Sequence, residues 1–105
     1  MFINRCPAEQ EGVARLLSFG PGNALTLRDL TAVTGLDGRT IRLQIEAARR
    51  AGARIVSASD DVRGYFLADN PEDLRRFSRS MSGRAQRISE IAQLAADAAA
   101  DMEDL

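Results

Sequence analysis

LTLRDLTAVTG-LDGRTIRLQIEAARRAG-ARIVSASDDVRGYFLA, residues 25–68, is the stretch that decides the fold. Apolar residues recur three and four positions apart, which predicts two short helices over about residues 27–33 and 38–51. Thr26 and Asp37 are suitable N-caps, and a glycine follows each helix, as is typical of helix ends. Two β-prone runs around a polar connection containing Gly64 then predict a hairpin. The stretch therefore predicts a helix-turn-helix followed by a two-stranded ribbon.

The apolar positions of these helices predict the core. We expect Leu36, in the turn, to fill the space between the two helices, and a further amphipathic helix to precede them over residues 8–19. The cluster Gly20-Pro21-Gly22-Asn23 ends that helix as a loop. The residues expected to be buried in the two short helices are Leu27, Leu30, Val33, Ile41, Ile45 and Ala48.

The C-terminal third of the chain, residues 70–105, is predicted to be one long helix. Asn70-Pro71 is a helix start, and apolar residues repeat every seven positions after it. Because such a helix is too long to pack wholly against a small head, its apolar stripe is expected to associate with another chain. The predicted oligomerisation residues are Leu74, Phe77, Met81, Ile88, Ile91, Ala95 and Met102.

Charge along this helix is split into two blocks. Five arginines occupy residues 75–87, and five acidic residues follow within residues 90–104. Antiparallel pairing of two copies would lay each basic half along an acidic half, whereas parallel pairing would place like charges together. We therefore expect a homodimer or higher oligomer, with antiparallel helices favoured. The alternatives are a solvated charge run and contact of the basic half with DNA.

Composition excludes several function classes. The chain has 105 residues, no His and a single cysteine, Cys6, and all 14 basic residues are arginine. Without an imidazole, a lysine amine or a second thiol, we expect no enzyme activity, no metal site and no cofactor. No small-molecule ligand is evident. No apolar run reaches the roughly 20 residues of a membrane span, and no signal peptide is recognisable, so a cytoplasmic protein is expected.

The residues of this stretch carry a family resemblance. Arg39-Thr40-Ile41-Arg42, Gly52-Ala53-Arg54-Ile55 and Gly64-Tyr65-Phe66-Leu67 resemble the winged helix-turn-helix DNA-binding domain of the biotin operon repressor type. The resemblance covers about residues 10–69, and small prophage-encoded winged-helix proteins with a long C-terminal helix look similar over nearly the full length. It implies a mainly α fold with a small β-hairpin, comprising a winged helix-turn-helix head at residues 8–69 and an oligomerisation helix at residues 70–105. Gln44 departs from the aliphatic residue more usual at its position.

The resemblance implies sequence-specific binding of double-stranded DNA by a dimeric transcriptional or phage regulatory factor. The third helix of such a head, here residues 38–51, enters the major groove, and the wing touches the minor groove or the backbone. We expect base contacts from the start of that helix, phosphate contacts around it and a wing contact. The predicted DNA-binding residues are Arg39, Thr40, Arg42, Leu43, Arg28, Arg54 and Arg63.

A second interpretation remains open. The net charge is −1, and Asp60 and Asp61 lie in the predicted wing. Both features favour a winged-helix adaptor whose long helix docks a partner protein and whose head does not bind DNA. Arg49 and Arg50 are expected to be partly ion-paired with Glu46.

Overall fold

The computed structural model describes residues 5–58 and 64–104. The chain is mainly helical, with a small antiparallel hairpin and a long C-terminal helix, which confirms the predicted class at this level. The chain divides into two compact units, Met1–Leu74 and Arg75–Leu105. The elements are α1 (Leu27–Thr34), α2 (Gly38–Arg50), β1 (Ile55–Ala58), β2 (Gly64–Leu67) and α3 (Pro71–Glu103).

Capping fixes both ends of α1, as the sequence predicts. The Thr26 hydroxyl accepts a hydrogen bond from the Asp29 N–H at 3.0 Å, and the Asp29 carboxylate accepts one from the Thr26 N–H at 2.9 Å. This reciprocal capping box satisfies two amides that the helix itself leaves without acceptors. Gly35 ends the helix in the left-handed conformation, with φ of 74° and its N–H bonded to the Thr31 carbonyl. The chain can therefore turn sharply towards α2.

The predicted α-helix over residues 8–19 is wrong. This segment forms two short 3-10 turns, Pro7–Gln10 and Gly12–Leu16. Gly12 has φ of 56°, a left-handed value that interrupts any continuous right-handed helix. The side-chain oxygen of Gln44 on α2 accepts a hydrogen bond from the Val13 N–H at 3.1 Å. Gln44 therefore satisfies an amide at the start of the second turn, which an aliphatic residue there could not do.

The hairpin is held on both edges of β2. Strands β1 and β2 pair antiparallel, with Ile55 opposite Leu67. On its other edge β2 bonds to the segment that precedes α1: Leu25 and Tyr65 exchange two backbone hydrogen bonds, at 2.8 and 2.9 Å. The Gly20 N–H also donates to the Leu67 carbonyl at 3.0 Å. The hairpin and the start of α1 are thus one hydrogen-bonded structure.

The core of the first unit lies between α1, α2, the hairpin and the 3-10 turns. It confirms the predicted burial of Leu30, Ile41 and Ile45 and places Leu27 and Ala48 at its edge. Its buried members are Val13, Ala14, Leu17, Leu30, Ile41, Ile45, Ala53, Ile55 and Leu67.

Two predicted core residues are exposed instead. Val33 is 70% exposed and Leu36 is 36% exposed. The inward face of α1 continues from Leu30 to Thr34, four residues on, rather than to Val33. Thr34 can occupy that face because its hydroxyl donates to the Leu30 carbonyl at 2.7 Å.

Candidate nucleic-acid interface

The outer face of α2 carries the strongest group of predicted contact residues. Arg39, Arg42 and Leu43 lie away from the buried stripe of Ile41 and Ile45, and all three are exposed. Leu43 keeps 55% of its surface in solvent. Within residues 5–58 and 64–104, neither the Arg39 nor the Arg42 guanidinium has a hydrogen bond or an ion pair. Two arginines without a hydrogen-bond or ion-pair partner and a largely exposed leucine therefore project from the outer side of α2.

Asp37 positions the start of this face. Its carboxylate accepts a hydrogen bond from the Thr40 N–H at 2.7 Å and so caps α2. Hydrogen bonds from the Thr40 hydroxyl and N–H lower the pKa of Asp37. Thr40 is only half-exposed. Thr40 gives its backbone N–H to the cap, and its side chain is less exposed than those of Arg39 and Arg42.

Arg28 lies in the first turn of α1. Its side chain is exposed, and it contributes electrostatically to lowering the pKa of Asp29, behind the larger effect of hydrogen bonds from Thr26. The Asp29 carboxylate is committed to the capping box described above. Arg28 consequently remains a candidate for a phosphate contact beside the turn.

Arg54 has a structural role that the sequence did not predict. Its guanidinium binds both oxygens of Glu9, at 3.0 and 3.1 Å, and the Glu9 carboxylate also accepts the backbone N–H groups of Arg54 and Cys6. Glu9 is 0% exposed, whereas the Arg54 side chain is 43% exposed. Burial opposes the ionisation of Glu9, but the bonds from Arg54 and Cys6 outweigh it and lower its pKa to about 2. Arg54 is therefore occupied within the fold and is left out of the interface proposed below.

Arg49 and Arg50 differ from each other. The expected ion pair with Glu46 is made by Arg50 alone, at 2.9 Å. Arg49 turns towards the hairpin, where it donates to the Ile55 carbonyl and the Ser57 hydroxyl, each at 3.0 Å. Burial lowers the pKa of Arg49, whose guanidinium also lies 5.9 Å from the centre of the Tyr65 ring. Arg49 thus joins α2 to the hairpin.

The predicted wing contact, Arg63, lies outside the described residues. So do Asp60 and Asp61, the acids expected beside it. The strands that flank this connection are described: Phe66 is buried, and Tyr65 lies half-buried against the core. The wing contact stays a prediction.

The predicted oligomerisation stripe on α3 is largely exposed in a single copy. Ile88, Ile91 and Met102 are 66–73% exposed, and Met81 is 41% exposed. Leu74 and Phe77, at the start of the helix, are half-buried, and Ala95 is exposed. Leu94, which the seven-residue repeat did not include, is 67% exposed beside the stripe. An extended apolar face of α3 is therefore available for association.

Other site types have little support in the described part of the chain. No group of three or more His, Cys, Asp or Glu side chains there is arranged to hold a metal ion. A shallow groove of about 440 Å³ is lined by Leu16, Val33 and Leu36, among others, beside the turn between α1 and α2. No described helix combines the length and the apolarity needed to cross a membrane.

Comparison of the chain with family models, with curated proteins and with solved structures found no match.

Proposed function

We propose that this protein is a winged helix-turn-helix DNA-binding protein that reads double-stranded DNA with the outer face of α2. A regulator of transcription or of phage functions, acting in the cytoplasm as a dimer through α3, is the form that best fits the chain. Arg39 and Arg42 make the base contacts, with Thr40 and Leu43 beside them, Arg28 binds phosphate and Arg63 contacts DNA from the wing.

One contrast carries the proposal. Arg49, Arg50 and Arg54 are each committed to an intramolecular partner, but Arg39 and Arg42 are exposed without one. An arginine side chain loses rotational freedom when it binds, and its guanidinium fork matches the acceptors on the major-groove edge of guanine. The order of elements, with a helix-turn-helix ahead of a hairpin, supports the same interpretation.

Selection of bound duplexes from a random pool tests this proposal. We expect the native chain to enrich a preferred sequence, and the Arg39→Ala/Arg42→Ala variant to bind that sequence at least about 30-fold more weakly. Each bidentate contact to a base contributes about 1–3 kcal/mol of discrimination, so two lost contacts account for such a loss. Affinity is measured at one stated salt concentration, because phosphate contacts make it salt-dependent.

Arg15→Ala/Arg50→Ala is the charge-matched control, since it removes the same charge from two exposed sites outside the start of α2, where the base contacts are proposed. We expect the control to bind within about threefold of the native chain, allowing for its lost surface ion pair. Both variants should keep the native melting temperature. If the Arg39→Ala/Arg42→Ala variant retained full affinity and selectivity, α2 would not be the reading helix.

The adaptor interpretation has two observations in its favour. Val33 is 70% exposed and borders the groove beside Leu36, and the chain carries a net charge of −1. An adaptor would enrich no duplex from the pool, and any duplex binding would be equally weak for the native chain and both variants. The selection experiment therefore separates the two functions directly.

A further inference from the structure

The apolar stripe of α3 is exposed, and a partner with an apolar surface would stabilise it. Ile88, Ile91 and Leu94 each leave about two-thirds of their surface in solvent at the middle of the helix. Covering such aliphatic surface is favourable by roughly 25 cal/mol per Å². Because the stripe continues to Met102, an occupant must itself be long and apolar along one face.

We propose that the occupant is the same helix of a second copy, paired antiparallel over residues 75–104 with the two-fold axis passing between Ser89 and Glu90. The proposal specifies the orientation and register of the self-association included in the proposed function. It does not depend on DNA binding by the head.

The seven-residue repeat supplies the register. The seam consists of two series of residues, one running from Leu74 to Met102 and the other offset from it by three residues. In an antiparallel pair, each residue of one series faces a residue of the other series in the second copy. An axis between Ser89 and Glu90 sets Ile88 against Ile91 of the second copy. The same register sets Met81 against Ala98 and Met102 against Phe77. Large side chains thus face each other at the centre and near the ends of the pair. Between these places a large side chain, Met81, faces a small one, Ala98, so the side chains of the seam can interdigitate.

Arg84 determines the orientation. It is the one charged residue in the described part of the seam, within the series Phe77, Arg84, Ile91 and Ala98. Parallel, in-register pairing would place two Arg84 guanidinium groups against each other in an apolar seam, which is costly. In the antiparallel register Arg84 faces Ala95, whose small side chain leaves room for the arginine stem to pass to solvent.

The two charge blocks select the same register. The arginines at 75–87 and the acids at 90–104 are centred at nearly equal distances from the Ser89–Glu90 axis. Each basic half therefore overlaps the acidic half of the other copy along its whole length. Any single exposed pair contributes less than about 1 kcal/mol, so the blocks fix orientation and register more than they add affinity. Sliding by one repeat would leave one end of each block without its complement.

Small residues beside the seam permit close packing. Ser78, Ala85, Ala92 and Ala99 recur every seven residues on one flank of the stripe. Their short side chains let two helix backbones approach, which increases the surface that Ile88 and Ile91 bury. Close packing over the full stripe requires small residues along its whole length, and these four residues supply them.

Distance measurements between spin labels test the orientation in the full chain. Cysteines replace Gln93 or Ala100 in a Cys6→Ser background, and both positions lie on the side of α3 away from the seam. At about 1.5 Å per residue, the two copies of residue 100 should be about 31 Å apart along the helix axis, against about 10 Å for residue 93. Equal separations at the two positions would mean parallel pairing and would overturn the proposal.

Light scattering of matched variants tests the surface. Ile88→Asp/Ile91→Asp places four charges at the centre of the pair and should convert the dimer to a monomer. Gln86→Asp/Gln93→Asp adds the same charge on the outer side of the helix and should remain dimeric. A native chain that is monomeric throughout the measured concentrations, or an Ile88→Asp/Ile91→Asp variant that stays dimeric, would overturn the proposal.

Salt supplies an independent check of orientation. Raising the ionic strength from about 0.05 to about 0.5 M shortens the screening length severalfold. The antiparallel dimer should dissociate more readily at high salt, whereas a parallel dimer with like charges together would become tighter. These measurements contain no DNA, so failure of DNA binding by the head leaves their outcome unchanged.

Discussion

Replacing Arg54 with methionine is expected to lower the free energy of unfolding at pH 7 by about 3–5 kcal/mol, because a buried carboxylate loses its counter-charge. Glu9 is 0% exposed, and the Arg54 guanidinium provides two of its four hydrogen bonds. Methionine preserves the apolar stem but supplies neither charge nor donor. The two remaining backbone N–H groups cannot neutralise Glu9. Denaturant unfolding of the variant and the native chain measures the difference.

Glu9→Gln is the matched control from the other side of the pair. This variant should lower the free energy of unfolding by less, about 1–3 kcal/mol, because the Arg54 guanidinium that is left behind can still be hydrated. The Arg54 side chain keeps 43% of its surface in solvent, so its charge is not stranded as that of Glu9 would be. The double variant should lose less than the sum of the two single losses. Equal losses from the two single variants, or strict additivity, would contradict the assigned ion pair.

Glu9 also gives stability a defined dependence on pH. Its pKa falls from 4.5 to about 2 on folding, since hydrogen bonds from Arg54 and Cys6 outweigh the opposing effect of burial. A carboxyl group with a lowered pKa stabilises the fold fully above its unfolded pKa, and this contribution is lost as the pH falls through the folded pKa. The advantage of the native chain over Glu9→Gln should therefore shrink by up to about 3 kcal/mol between roughly pH 5 and pH 2. A difference that stays constant over this range would contradict the lowered pKa.

Local signals explain what the sequence predicts correctly. The capping box at Thr26 and Asp29, the cap at Asp37 and the left-handed Gly35 each lie within a few residues of the feature they determine. The strands β1 and β2 and the start of α3 are likewise predicted from residues within or next to these elements. By contrast, the Val13 N–H at the start of the second 3-10 turn donates to Gln44, which is 31 positions away. No pattern within residues 8–19 indicates that partner.

Prediction of the candidate site follows the same division. The buried stripe of Ile41 and Ile45 was enough to predict that Arg39 and Arg42 face outward, because helix periodicity determines both sides at once. Arg54, by contrast, is bound within the fold by Glu9, which is 45 positions away in the sequence. Nothing in the local sequence distinguishes this arginine from an exposed one. The Glu9–Arg54 pair is thus visible only once the chain has folded.

Gly64→Ala is expected to destabilise the fold by at least about 3 kcal/mol, from backbone strain and overlap together. Gly64 has φ of 123°, a conformation that L residues rarely adopt. A Cβ atom there would lie 2.6 Å from the Leu25 carbonyl oxygen and 2.7 Å from its carbonyl carbon. Both are backbone atoms, so no side-chain rotation can relieve the overlap. Thermal unfolding of the variant measures the loss.

Gly52→Ala separates strain from overlap, because Gly52 has a similar φ of 106° but nothing within 4 Å of its added Cβ. The control should lose only the strain energy, about 1–3 kcal/mol, and equal losses at the two sites would contradict the contact at Leu25.

The overlap at Gly64 can be relieved only by separating β2 from Leu25, which precedes the N-cap of α1. Gly64→Ala should therefore also weaken the hydrogen bonds between Leu25 and Tyr65, and amide exchange at Tyr65 should accelerate more than at Ile41. The close approach at Gly64 is thus what keeps the hairpin beside the helices that carry Arg28, Arg39 and Arg42.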